Sequence, residues 1–133
     1  MNTPAIGVIG LGLLMTSTSC TDALRPALCP GDSVTVAVTT SPGLPPQFSW
    51  SPPCLMAEVA VDSGPALMWV VVNSDTDRIL PPVRYGHVPG GATQLVPPQR
   101  LTRAAQYRVV VGHRVVGSPD LLFRRAGVRV FVF

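Results

Sequence analysis

The chain has 133 residues, enough for one domain with one modest core once a leader is set aside. Fifteen Pro and twelve Gly exclude a helical protein and suit short strands joined by many turns. Every basic side chain behind the net charge of +3 is Arg, and the lack of Lys excludes a Gly-x-x-x-x-Gly-Lys phosphate loop. Residues 1–77 hold one Arg against six acids, and residues 78–133 hold nine Arg against Asp120. Antiparallel strands would interleave these halves in space, so the asymmetry is not taken as a nucleic-acid footprint.

Residues 5–15 are an unbroken apolar run, Ala-Ile-Gly-Val-Ile-Gly-Leu-Gly-Leu-Leu-Met. That is the length of a signal-peptide core and too short for a spanning helix, which needs about 20 residues. Ser17-Thr18-Ser19-Cys20 follows, with small residues where a peptidase would cut before Cys20. The segment resembles a bacterial lipoprotein signal. The resemblance implies a signal peptide over 1–19, lipid on Cys20, a tether over 20–28 and attachment to a membrane of the cell envelope. A plain secretory leader that leaves Cys20 free is the alternative. There are three Cys, at 20, 29 and 54. An odd count in an exported chain calls for an explanation, and lipid on Cys20 would leave Cys29 and Cys54 to pair.

The mature chain reads as strands and turns. Val34, Val36 and Val38 alternate with polar or small residues in a first strand. Residues 41–46, with three Pro and a Gly, read as a loop. Gln47-Phe48-Ser49-Trp50-Ser51 is a second strand, stopped by Pro52-Pro53, with Phe48 and Trp50 on one face as core residues. If these strands are antiparallel neighbours, Cys29 before the first lies beside Cys54 after the second, within disulfide reach.

A third strand is expected over 55–62. A fourth, over 67–72, is apolar throughout and therefore covered on both sides or at an interface. Residues 79–85 are extended, but Pro81-Pro82 confines them to an edge or bend. Residues 86–91 and 97–98 frame loops. In residues 101–111, Tyr107, Val109 and Val111 alternate toward a core. Leu101 and Tyr107 carry the pattern of a tyrosine corner, in which the ring packs inward and the hydroxyl bonds upstream backbone. A long Arg-bearing loop precedes a last strand, where Val128, Val130 and Val132 alternate with Arg129, Phe131 and Phe133.

About seven strands at even spacing predict an all-β, two-sheet antiparallel sandwich over residues 29–133. Phe-Ser-Trp-Ser-Pro-Pro in the second strand, and Leu101-x5-Tyr107-x-Val109-x-Val111 near the end, resemble a fibronectin type III domain in the expected order. The family usually has Pro, Gly and Thr where this chain has Arg103, Ala104 and Ala105. The resemblance implies an immunoglobulin-like fold and non-enzymatic work in adhesion or scaffolding.

No motif for chemistry stands out. His87 and His113 lack near companions, no Gly-x-Ser-x-Gly elbow occurs, and Asp75-Thr76-Asp77 reads as a solvated turn. No metal and no cofactor are expected. Arg114, Arg124 and Arg125, placed about the loop before the last strand, are the candidate ligand contacts, since guanidinium groups grip carboxylate or phosphate. The expected function is a non-enzymatic, envelope-anchored binding or scaffold lipoprotein with a protein or polysaccharide ligand. The alternative is a secreted or periplasmic accessory subunit docking through its edge strands.

Overall fold

A computed structural model describes residues 29, 33–73, 77–115 and 123–133. The leader 1–19, Cys20 and the tether 20–28 lie outside the described residues, as do Asp75 and Thr76. Eight strands are described: β1 (Thr35–Ser41), β2 (Leu44–Ser51), β3 (Glu58–Asp62), β4 (Leu67–Val72), β5 (Val83–Arg84), β6 (Thr93–Val96), β7 (Gln106–Arg114) and β8 (Phe123–Val132). They form two antiparallel sheets, β1-β2-β5 and β6-β4-β3-β7-β8, so the protein is an all-β two-sheet sandwich.

The first hairpin is tighter than its composition predicts. Residues 41–46 are not one loop, because Ser41 pairs directly with Leu44 across Pro42-Gly43. Pro42 presets its own φ, and Gly43 takes φ +75°, a region closed to most side chains. Pro45 and Pro46 then fall where the β1–β2 register shifts, so the ladder does not need their missing N–H groups.

Between the sheets, Val36, Phe48 and Trp50 meet Val59, Val61, Trp69, Val71, Tyr107, Val109, Val111 and Phe131. The aromatic rings interlock: Phe48 sits edge-on to Phe131 at 5.6 Å, and Phe131 lies 5.9 Å from Tyr107. Trp50 Nε1 donates to Cys54 O at 2.8 Å, so the indole is buried without an orphan donor. Trp69 Nε1 likewise donates to Gln94 Oε1 at 3.0 Å. Met56, on the outward parity of the predicted third strand, is fully buried instead. A bend at Ala57 breaks that strand, and Met56 bridges to Ile79.

Thr35 pairs with Ser51, which sets the start of β1 beside the end of β2. Cys29 and Cys54 are joined there by a disulfide, with Cα atoms 4.7 Å apart. At one side of the sandwich β8 passes close to β1, and Val34 N donates to Ala126 O at 2.9 Å. Gly127 makes this approach possible: a Cβ there would lie 2.9 Å from Val34 O and 2.7 Å from Val36 Cγ2.

Candidate functional site

Tyr107 begins the inward row of β7 and is 5% exposed. Its hydroxyl accepts the Thr102 N–H at 2.7 Å, and half-buried Leu101 packs on the same core. The turn between them closes through Ala105 N to Thr102 O. Ala104 holds φ +64° in that turn, a left-handed conformation that favours Gly. Nearby, the Tyr85 hydroxyl lies 2.6 Å from Gln99 O and 3.0 Å from Met68 O and donates to either. Burial pushes this hydroxyl up to about 12, so it stays a neutral donor.

The three Arg singled out in the sequence do not form one cluster. Arg124 and Arg125 lie in β8 rather than in a loop. A register shift at Val111/Gly112 lets the β7–β8 ladder continue, pairing Gly112 with Arg125, His113 with Arg124 and Arg114 with Phe123. Neighbouring strand residues face opposite sides, so Arg124 and Arg125 diverge. Arg114 and Arg125 share the outer side of the five-stranded sheet. Arg124 shares the other side with His113.

His113 Nδ1 lies 3.2 Å from Asp77 Oδ2, and Asp77 Oδ1 accepts the Arg114 N–H at 3.1 Å. Asp77 therefore fastens the end of β7, where the sequence suggested a solvated turn. Among the described residues, no three His, Cys, Asp or Glu side chains are placed to hold a metal.

The outer face of the five-stranded sheet carries an apolar cluster. At its centre Ala60, Val70 and Val72 cluster with Val96 and Phe123. Val110 lies half-buried between them and β8. Along β8, Val128, Val130 and Val132 are 40%, 49% and 58% exposed. Glu58, Asp62, Arg108, Arg114 and Arg125 also lie on this face. Asp62 Oδ2 accepts from Arg108 Nε at 3.0 Å, and Asp62 Oδ1 accepts from Gly64 N at 2.9 Å. Burial raises the Glu58 carboxyl above its ordinary value. A shallow groove of about 270 Å³ runs along this face past Asp62, Gly64, Arg108 and Val130. Two other open grooves, about 250 and 400 Å³, share Arg103 and Phe133 at the tyrosine-corner end.

The outward valines could not be told from core residues in the sequence. Val128, Val130 and Val132 form one apolar row and Phe131 and Phe133 belong to the other, so alternation leaves the inward row open. The pairing of Phe131 with Tyr107, an inward residue, decides it.

The chain matches no protein-family model, no curated protein and no solved structure.

Proposed function

We propose that this protein is a non-enzymatic interaction module of the bacterial envelope, held by lipid on Cys20, that docks a protein partner on β8 and the adjoining outer face. The sheet division supports a fibronectin type III-like, immunoglobulin-like sandwich, because β1, β2 and β5 stand against β3, β7 and β8. The motifs of β2 and β7 point the same way.

One observation carries the docking surface: three successive outward residues of β8 are exposed valines. Single exposed apolar side chains are ordinary, but a contiguous row of them marks a contact site. A photo-cross-linking residue in place of Val130 in the full chain, expressed in its native envelope, should give a discrete protein adduct. The same group at Leu44, exposed on the other sheet, should give none. No adduct from Val130, or equal adducts from both positions, would contradict the docking surface. The anchor is tested separately: Cys20→Ala should move the protein out of the membrane fraction, and a variant that stays bound would refute lipidation.

A further inference from the structure

We infer that the open edge of β8 pairs with the β8 of a second copy of this chain, antiparallel and about a two-fold axis at Val130. This rests on the docking surface proposed above and names its occupant.

The hydrogen-bond parity of β8 is fixed by two bonds. Phe133 N donates to Ala105 O on the β7 side, so Phe133, Phe131 and Arg129 turn their backbone groups toward β7. The alternate residues turn theirs outward, as Ala126 does when its carbonyl accepts from Val34 N. Val128, Val130 and Val132 therefore direct both N–H and C=O to the open edge. Among the described residues nothing bonds to that edge beyond Ala126. The residues with free backbone groups are the same residues with exposed apolar side chains. An edge that is both unpaired and apolar is a template for strand addition.

The sequence of the open stretch selects a second copy as the added strand. Residues 128–132 read Val-Arg-Val-Phe-Val. Reversed, they read Val-Phe-Val-Arg-Val. Antiparallel pairing centred on Val130 sets Val128 against Val132, Val130 against Val130 and Val132 against Val128. Each is a hydrogen-bonded pair that exchanges both N–H···O bonds. Valine meets valine on the outer face, where such cross-strand pairs stabilise. Arg129 stands opposite Phe131 of the second copy and not opposite another Arg129.

Neighbouring registers are worse. A slip of two residues one way sets Arg129 against Arg129, a like-charge pair. A slip the other way keeps only two of the three Val–Val pairs. Because β1 occupies the edge at Ala126, the pairing is confined to residues 128–132. The contact is isologous and closes on itself as a two-fold dimer, with one sheet running through both copies.

The test uses the full chain carrying Cys20→Ser, so that an introduced thiol is the reporter. Analytical ultracentrifugation from micromolar to millimolar protein should show a monomer–dimer equilibrium. Val130→Lys places two charges face to face on the axis and should weaken the dimer by roughly tenfold or more. Val130→Thr, which keeps the strand shape, should retain it. Circular dichroism shows that each variant is folded.

Under mild oxidation Val130→Cys should cross-link to a covalent dimer, because opposed Cα atoms sit about 5.5 Å apart, within disulfide range. Arg129→Cys should not, since its own copy lies diagonally away. A chain that stays monomeric at every concentration, or equal cross-linking from both positions, overturns the self-pairing. If the Val130 photo-adduct has the mass of a different protein while the chain stays monomeric, the docking surface stands and the second copy is wrong. If neither adduct nor dimer forms, both fall.

Discussion

Tyr107 joins a buried ring to a single backbone hydrogen bond, so two substitutions separate its contributions. Tyr107→Phe removes only the oxygen that accepts the Thr102 N–H at 2.7 Å. Thr102 itself is exposed, so water can reach toward the stranded N–H. The cost should therefore sit near about 1 kcal/mol, the net value of an ordinary hydrogen bond, and below the roughly 3 kcal/mol of a fully buried orphan.

Tyr107→Ala also deletes a ring that is 5% exposed and lies 5.9 Å from Phe131. Large aromatic truncations in a core cost about 3–5 kcal/mol, and the lost ring pairing falls within that figure. Domains of this size have about 5–15 kcal/mol in total, so the alanine variant should be marginal or unfolded. Urea denaturation followed by Trp fluorescence measures both, since Trp50 and Trp69 are buried. Equal losses in the two variants would refute the corner, because they would mean that the ring packs against nothing.

Replacing Cys29 and Cys54 together by Ala opens a crosslink between residues separated by 25 in sequence, and should cost about 3.5 kcal/mol in the same assay. Thiol counting on the unreduced, unfolded parent should find neither of these two cysteines free. Ala104→Gly should stabilise by about 1 kcal/mol, because glycine adopts φ +64° without the clash that a Cβ meets there, less its greater unfolded-state entropy. A loss in that variant would mean that the turn is held some other way. Glu58→Gln should change the pH dependence of stability. Burial raises the folded carboxyl, so its penalty is absent below the ordinary 4.5 and grows as pH rises from there through the raised folded value. Glutamine should therefore stabilise at neutral pH, with little effect near about pH 4; a gain at low pH alone would contradict the burial of this group.

Much of the fold was legible because strand patterning and turn chemistry agree. The β2 aromatics and the Tyr107 row report burial through side-chain spacing, and the apolar run of β4 does so from Trp69 to Val72, while Leu67 at its start is exposed. The disulfide followed from the expected adjacency of two strands. Three features were not legible, each for a physical reason. β6, Thr-Gln-Leu-Val, is four residues long and mostly exposed, so it carries no alternation; it forms because β4 offers it an edge. Arg124 and Arg125 read as loop residues because the register shift at Val111/Gly112 that extends β8 leaves no mark in composition. The outward direction of Val128, Val130 and Val132 depended on which apolar row faces Tyr107, a long-range pairing that local periodicity does not encode.

Amide hydrogen exchange along β8, read by NMR on the full chain, tests the docking edge most directly. In dilute solution the amides of Arg129 and Phe131 should exchange slowly, because they bond to β7. Those of Val128, Val130 and Val132 should exchange fast, because they face the open edge. When concentration or partner brings a strand to that edge, the valine amides should become as protected as their neighbours. Uniform protection from Val128 to Val132 in dilute monomer would show that the edge is already occupied, and would contradict a docking site on β8.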